Sequence, residues 1–290
     1  MSTDASMTAG AAGAAPVPDG PAAPAPPGGR RPRKKASRLA TWAPPIVLLL
    51  ILFGAWEYAA RSGQVQDYIL PAPDRILRTL WDSWGDILRS AAWVTFQEMF
   101  IGFLIAVVLG VLAAVAMQQS QIIRRALYPL LIASQTIPIV VLAPILAIIM
   151  GYNIGPKLVI VALVCFFPIA VNTFDGLRSV DEDLVRMMRT LHGTRRTIFW
   201  RVELPSAMPA FFSGLRVSAA FAPVGAVFGE FSGSNDGLGF VMLQAGPQLQ
   251  TQLVFAAVLI LTIMSVALVG TVTLAERWIA PWARQPRRNA

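Results

Sequence analysis

The chain has 290 residues, 55% of them hydrophobic and only 14% charged, with a formal net charge of +8. Soluble domains carry roughly 25% charged residues, so this composition excludes an ordinary soluble protein and makes the lipid bilayer the expected solvent. A single cysteine (Cys165) and a single histidine (His192) exclude an intramolecular disulfide and a clustered zinc site, and the lack of a G-x-x-x-x-G-K-[ST] string excludes a P-loop ATPase.

Residues 1–38 are rich in Pro, Ala and Gly and end in the basic run RRPRKKASR. Such a composition cannot build a core, so we predict a disordered tail. Its basic run could bind nucleic acid or anionic lipid, but beside an apolar segment a positive-inside anchor explains it better. We therefore expect membrane lipid and not nucleic acid as its partner. The apolar region begins too late for a cleavable signal peptide.

Six apolar stretches, each near the ~20 residues that a bilayer requires, predict an all-α integral membrane domain over residues 39–280, followed by a basic tail over 281–290. They lie at 39–60, 92–117, 126–150, 157–174, 208–231 and 252–275. Pro138 and Pro144 predict a kink in the third segment. Pro168 and Pro223 in the fourth and fifth predict either bends that line a pathway or simple packing kinks.

Orientation follows from the distribution of basic residues. With the N-terminus inside, the cytoplasmic side holds all of the 24 Lys and Arg residues except Arg61, Arg75, Arg78, Arg89 and Lys157. This bias predicts a multi-pass protein of the cell membrane with both termini in the cytoplasm.

The longest polar interval between apolar runs is the 179–209 segment, SVDEDLVRMMRTLHGTRRTIFWRVELPSAMP. Ser179 is the predicted cap of a short helix with an apolar stripe at i, i+3, i+4 and i+7, formed by Leu184, Met187, Met188 and Leu191. His192-Gly193 ends this helix, with Gly193 predicted to supply the left-handed conformation, and Thr194 caps a second helix. Pro205 and Pro209 are predicted to close the segment. Two helices around a tight turn suit docking onto a partner.

Two segments on the other side of the membrane are predicted to be helical. The first begins near Asp74, and its apolar face fits a helix that lies on the membrane plane: Ile76, Leu77, Leu80, Trp81, Trp84 and Leu88. The second, residues 229–245, has glycines for turns beside a short apolar helix that can dip back into the protein.

Together these features resemble the permease subunit of a binding-protein-dependent ABC importer, in the subgroup of nitrate, taurine, alkanesulfonate and thiamine-precursor permeases. The resemblance covers residues 44–280. It is carried by LPAPDRIL, SQTIPIVVLAPILAIIMGYNIGPK, FFPIAVNTFDGLRSVDEDLVRMMRTL and IFWRVELPSAMPAFFSGLRVSAAFAPVGAVFGEFSGSNDGLG. In that family the loop that corresponds to residues 179–209 is the coupling loop. Its general form is E-A-A-x-x-x-G, a spacer and a closing x-L-P. Leu204-Pro205 match its end, whereas Arg186, Met187 and Met188 stand at the Glu-Ala-Ala positions and His192 at the glycine.

The resemblance implies a type I ABC importer permease fold, a homodimer of this chain, two ATPase subunits that bind ATP and Mg, and an extracytoplasmic solute-binding protein. The chain itself would bind no cofactor and catalyse nothing. The residues expected to couple it to the ATPase are Met187, Met188, Arg189, Leu191, His192, Gly193, Arg195, Arg196, Ile198, Phe199, Leu204 and Pro205.

Polar groups within predicted spans are candidates for the substrate pathway, since burying them in lipid is costly. Glu98 lies either in the pathway or in the outer interface. Gln135 and Thr136 either meet substrate or satisfy backbone groups freed by Pro138. Glu230 either contacts the binding protein or solvates the outer mouth. Phe221 is either a packing residue or part of a stacking pocket.

The substrate order suggested by the sequence is a thiamine-precursor pyrimidine first, then a sulfonate or taurine, then nitrate. An anion pathway would show Arg or Lys in its constriction, and the central parts of the predicted helices have none. An ion-gradient-driven transporter remains a rival class, although six helices without a clear inward charge pair argue against it. A membrane enzyme is a weaker rival because no nucleophile–base constellation is visible.

Overall fold

The computed structural model describes residues 38–62, 66 and 68–284, and within these every regular element is helical. The predicted tails at 1–37 and 285–290 lie outside the described residues. The helices are α1 (Arg38–Arg61), α2 (Pro73–Asp82), α3 (Arg89–Gln119), α4 (Gln121–Ser134), α5 (Ile139–Met150), α6 (Ile154–Arg178), α7 (Glu182–Thr190), α8 (Arg195–Ile198), α9 (Leu204–Phe231), α10 (Leu238–Ala245) and α11 (Thr251–Ile279). Single π-helical turns (Trp84–Leu88 and Phe199–Glu203) lead into α3 and α9, and a 3₁₀ turn (Pro281–Arg284) follows α11.

Four of the predicted spans are confirmed as continuous apolar helices: Trp84–Gln119, Ile154–Arg178, Arg195–Phe231 and Thr251–Ile279. The predicted third span is broken, with α4 and α5 meeting at 103°. If this pair counts as one span, the described residues contain five. The first predicted span coincides with α1 in position, and the count of six stays a prediction.

The break between α4 and α5 has a local cause. Pro138 cannot donate a backbone hydrogen bond, and it adopts an extended conformation (φ −63°, ψ 121°) as the residue before α5. The residue before it is also pushed away from helical geometry. Where a kink was predicted at Pro138, the helix is broken, and α5 begins at 103° to α4. Pro168 and Pro223, by contrast, lie inside unbroken helices.

The chain divides into two units, residues 1–51 and 52–290. In the first, the apolar side chains from Ile46 to Ile51 are all exposed, as expected for a helix surface that meets lipid. In the second, α6 and α9 form the centre, and α3 and α11 pack around them.

Small residues set the close approach of the central helices. A Cβ added at Gly102 of α3 would lie 2.5 Å from Val161 Cβ of α6, and one added at Gly214 of α9 would lie 2.7 Å from the Pro168 carbonyl oxygen. Because lipid tails give no hydrophobic driving force between helices, such backbone proximity is what van der Waals packing in a bilayer requires. The antiparallel α6 and α9 thereby become a rigid pair that joins the two ends of the molecule.

The predicted amphipathic helix is confirmed as α2 plus the first π-helical turn. Its apolar face divides in two: Ile76 and Leu88 are buried in a cluster with α10 and α11, while Leu77 and Trp81 are exposed.

Candidate functional site

The first site is the 179–209 segment, which joins the end of α6 to the start of α9. The predicted cap was wrong, because Asp181 accepts the bond from the Asp183 amide (2.9 Å) and α7 begins at Glu182. Ser179 instead donates its hydroxyl to the Gly176 carbonyl (2.8 Å) and closes α6. Asp181 lies two residues after Ser179, and its negative charge suits the positive end of the helix dipole better than a hydroxyl does.

The turn between α7 and α8 is also corrected. The left-handed residue is His192 (φ 59°), not Gly193. The His192 amide donates to the Arg189 carbonyl (3.1 Å) and the Gly193 amide to the Met188 carbonyl (2.9 Å), the bond pair of a Schellman motif. Gly193 is needed for proximity, since a Cβ there would lie 2.6 Å from the Met188 oxygen. His192, which stands at the glycine position of the coupling-loop pattern, is thus itself the left-handed residue of the turn.

The second half of the segment continues directly into the membrane. Thr194 caps α8 as predicted, accepting from the Thr197 amide (3.2 Å). The prediction that Pro205 and Pro209 close the segment was wrong: Pro205 lies in the first turn of α9, directly after the π-helical turn, and Pro209 lies inside that helix. Residues 195–231 form one helical run. α8 and α9 are therefore joined without an intervening loop.

Exposure distinguishes two faces in this segment. On α7, Leu184, Met187 and Leu191 form an exposed apolar stripe, and Leu191 is 68% exposed. On α8, Ile198 is buried. Met188 and Phe199 are half-buried, and Arg189, His192, Arg195 and Arg196 are exposed. Met187 and Leu191 are the exposed apolar residues of the predicted docking set, and Leu184 extends their stripe along α7.

The base of the segment is fixed to the end of α3. Arg195 donates to the Gln119 carbonyl (3.0 Å), and the Gln118 amide donates to Glu203 (3.3 Å). Arg186, at the first position of the family's Glu-Ala-Ala, is exposed and pairs with Glu182 (3.1 Å) and Asp183 (3.4 Å) of its own helix. Exposed pairs of this kind contribute little stability. The ion pairs of Arg186 therefore lie within α7 and stabilise it only slightly.

The second site lies at the opposite end of the bundle, where α3, α6 and α9 bring ionisable groups together below the 232–250 segment that links α9 to α11. The Lys157 ammonium donates to Glu98 (2.6 Å) and to Ser234 (2.6 Å). Thr95 donates to Glu230 (2.6 Å) and accepts from the Leu238 amide (2.8 Å). We call Thr95, Glu98, Lys157, Glu230 and Ser234 the polar cluster.

Glycines close the polar cluster from above. The Gly239 amide donates to Glu230 Oε2 (2.5 Å). Gly237 has φ 113° and ψ 166°, a region that essentially only glycine occupies, and a Cβ there would lie 2.3 Å from the Glu230 carboxyl carbon. The predicted re-entrant helix is confirmed as α10, and Glu230 holds its first turn in place.

Glu98 and Glu230, which were separate candidates in the sequence analysis, lie in the same polar cluster in the structure. It adds Lys157, which sequence reasoning used only for orientation. The general expectation that an ionisable residue inside an apolar run has a partner would have found it.

The other pathway candidates lie elsewhere. Gln135 is the exposed C-cap of α4, and the Thr136 hydroxyl donates to the Ala133 carbonyl (2.7 Å), which agrees with a backbone role for Thr136. Phe221 is 52% exposed on α9. Their place in a pathway stays a prediction. Arg216 pairs with the buried Glu276 of α11.

A cavity of about 460 Å³ opens between α9, α10 and α11. Its walls include Phe228 and Phe231, whose rings meet edge to face, and the hydroxyls of Thr262 and Ser265, with no charged residue among its lining. Small-molecule sites fall in this range of size and polarity.

Comparison with known proteins gives concordant results. The family model described as "binding-protein-dependent transport system inner membrane component" matches residues 106–285. In solved structures, a chain of the MetNI methionine ABC transporter in an inward-facing conformation aligns with a TM-score of 0.51 at 20% identity, covering 73% of this chain and 98% of that chain. This likeness concerns the fold.

Among curated proteins, the chain is similar to the formylaminopyrimidine transport permease protein ThiX of Halalkalibacterium halodurans, with 35% identity over 83% of this chain and 96% of the relative. It is 29% identical to a putative aliphatic sulfonates transport permease protein of Bacillus subtilis (86% of this chain, 91% of the relative) and to the riboflavin transport system permease protein of Chloroflexus aurantiacus (87% and 95%). The membrane helices, the 179–209 segment and these matches together place the chain in the family of binding-protein-dependent transport system inner membrane components, the permeases of ABC importers.

Proposed function

We propose that the chain is the permease for a formylaminopyrimidine or a closely related, neutral nitrogen heterocycle. The observation that carries this proposal is the similarity to the Halalkalibacterium halodurans permease, which covers 83% of this chain and 96% of that relative. The riboflavin permease relative is consistent with it, because riboflavin also contains a pyrimidine-type ring.

The charge distribution supports a neutral solute. Apart from Arg178 at the C-terminal end of α6, the basic residues of the central helices α6 and α9 are Lys157 and Arg216, and each pairs with a buried glutamate. An anion pathway needs cationic groups that face the solute, and these two already have partners. The cavity beside Phe228 and Phe231 offers aromatic edges and hydroxyls, which suit a flat heterocycle.

A sulfonate or taurine is the second candidate, favoured by the relatives from Bacillus subtilis and from Escherichia coli, the latter a taurine transport permease protein at 25% identity. Nitrate ranks third. Either anion would require cations from a partner copy of the chain or from residues outside the central helices.

Coupling to ATP hydrolysis is proposed to occur at α7. The exposed stripe of Leu184, Met187 and Leu191 is the apolar centre of the docking surface, and Arg189 and Arg196 lie at its polar rim. ATP and Mg²⁺ would bind to two separate ATPase subunits. The chain would act as a homodimer with both termini in the cytoplasm, and an extracytoplasmic binding protein would deliver the solute at the opposite end.

The continuous 195–231 run provides the lever for this coupling. Because Arg195 and Glu203 bond to Gln119 and Gln118 at the end of α3, a movement of α7 by the ATPase would be passed to α8, α9 and the end of α3 together. α9 carries Glu230, so the same movement reaches the 232–250 segment. A ligand or nucleotide shifts such an equilibrium only through different affinities for the two states.

The substrate proposal is tested by uptake into cells that express this chain with its ATPase and binding protein. Excess unlabelled formylaminopyrimidine is expected to abolish uptake of the labelled compound, whereas taurine and nitrate leave it unchanged. Inhibition by taurine at equal concentration would instead assign the importer to sulfonates. The matched control is a strain without the permease, which accounts for uptake by other systems.

A further inference from the structure

The polar cluster contains one buried oxygen without a hydrogen-bond partner. Glu98 is 1% exposed, and its Oε1 atom accepts from Lys157, but its Oε2 atom has no donor among the described residues. A buried carboxylate oxygen that lacks a donor is costly, and native structures seldom leave one in that state. Either a donor is supplied to Oε2 or the oxygen itself carries a hydrogen.

The charges of the cluster point in the same direction. Glu98 and Glu230 are both buried, and among the described residues the one ion pair to either of them is that of Lys157 with Glu98. Glu230 accepts from a hydroxyl and an amide, which are neutral. Asp236, exposed on the 232–250 segment, adds negative potential at Glu98. The neighbouring α10 and the half of α11 nearest the cluster carry no charged residue. Two ionised carboxylates would therefore leave one buried negative charge without a counterpart.

The two carboxyl groups are neighbours. Thr95 and Glu98 lie about one turn apart on the same face of α3, and Thr95 bonds to Glu230, which places the Glu98 and Glu230 carboxyl groups on the same side of α3. Like charges held together in a buried site cannot both stay ionised, so one proton is retained between them. A metal ion is a poorer solution, because Glu98 already pairs with the Lys157 ammonium and no group of three metal-type ligands exists among the described residues.

We propose that Glu98 and Glu230 share one proton and that this proton fastens the 232–250 segment to α3 and α9. With the proton on Oε2, Glu98 donates to Glu230, while Glu230 continues to hold Thr95 and the Gly239 amide. The cluster is then neutral, with one ammonium, one carboxylate and one carboxylic acid. Loss of the proton sets two carboxylates against each other directly below Gly237 and loosens the segment.

Infrared spectroscopy of the full chain in lipid nanodiscs tests the shared proton. The wild type is expected to show the carbonyl stretch of a buried, protonated carboxyl group at neutral pH. Because the proton belongs to the pair, this band should disappear in Glu98→Gln and equally in Glu230→Gln, since the remaining carboxyl faces an amide and ionises. Glu57→Gln removes an ion-paired carboxylate from α1 and should leave the band intact.

The Glu98→Gln variant also separates the proton from a merely structural role. The glutamine amide supplies a permanent N–H donor to Glu230 and keeps an oxygen for Lys157. We therefore expect this variant to fold, and its unfolding temperature at neutral pH to lie within a few degrees of that of the wild type. As the pH rises above the ordinary titration range of a carboxyl group and stays below that of lysine, the wild type and Glu57→Gln should lose thermal stability, because the unfolded chain has released a proton that the folded chain still holds. Glu98→Gln should not.

Two results would overturn the proposal: a wild-type spectrum without a protonated carboxyl band, or a band that persists in both glutamine variants. An alkaline loss of stability in Glu98→Gln equal to that of the wild type would assign the pH response to another group. These outcomes leave the assignment of substrate untouched, since none of them involves transport.

Discussion

A Leu191→Asp variant is expected to insert into the membrane and fold, yet to lose substrate-stimulated ATP hydrolysis and uptake. Leu191 is exposed at the C-terminal end of α7, so the aspartate is solvated in the free chain and costs at most about 1 kcal/mol there, from the helix dipole. In the complex the carboxylate would be buried at the apolar centre of the docking surface. Losing such an anchor typically costs ~2 kcal/mol or more, which weakens docking about 30-fold.

Gly193→Pro tests the same docking surface through the backbone. Proline removes the amide that bonds to the Met188 carbonyl and brings ring atoms where a Cβ would already lie 2.6 Å from that oxygen. The Schellman turn is then lost, and α7 no longer points in its native direction. Coupling should fall as strongly as in Leu191→Asp.

The matched control for these variants is Arg186→Ala. Arg186 lies on the opposite face of α7 in exposed ion pairs, so its removal should change stability by no more than ~0.5 kcal/mol and leave coupling intact. The measurement is ATP hydrolysis by the reconstituted importer with and without loaded binding protein. Wild-type stimulation in Leu191→Asp would show that α7 is not the docking surface.

A Gly237→Ala variant is expected to destabilise the end of the bundle that carries the polar cluster. Alanine would be forced into a glycine-only conformation, at a cost of about 1–3 kcal/mol. Its Cβ would also overlap the Glu230 carboxyl, and overpacking adds about 1–3 kcal/mol. The 232–250 segment should detach, and the Gly239 amide and the Thr95 hydroxyl would lose their common acceptor.

Thermal unfolding and limited proteolysis of the purified chain measure this effect. Cleavage is expected to appear within 232–250 while the helices of the bundle remain resistant. Gly85→Ala is the control, because it lies at the same end of the molecule and a Cβ there meets nothing within 4 Å. An unchanged unfolding temperature in Gly237→Ala would contradict the clamped geometry of Glu230.

The apolar framework was predictable because bilayer thickness and hydropathy constrain it directly. The spans at 92–117, 157–174, 208–231 and 252–275 are confirmed on this basis. Thr194 was correctly identified as a cap from its local pattern. The local pattern allowed two caps for α7 and two left-handed residues at its end. The cap is Asp181 and not the predicted Ser179, and the left-handed residue is His192 and not the predicted Gly193.

The polar cluster was not predictable in the same way. Glu98, Lys157 and Glu230 lie far apart in the chain, and their contact depends on how α3, α6 and α9 pack. Each residue was visible as an ionisable group at a helix end, where an interfacial position explains it equally well. The prediction that Pro209 closes the 179–209 segment was wrong for a related reason. A proline is tolerated inside a membrane helix when neighbouring groups satisfy the freed backbone carbonyl.

Site-specific photo-crosslinking from Leu191 in native membranes would test the central claim most directly. With a photoreactive residue at 191, the chain is expected to crosslink to an ATP-hydrolysing subunit. The same residue at Trp93, exposed near the opposite end of α3, should capture no ATPase. Crosslinking of the ATPase from position 191 alone would establish α7 as the coupling surface of an ABC importer permease. Recovery of the chain without any ATPase from both positions would contradict it.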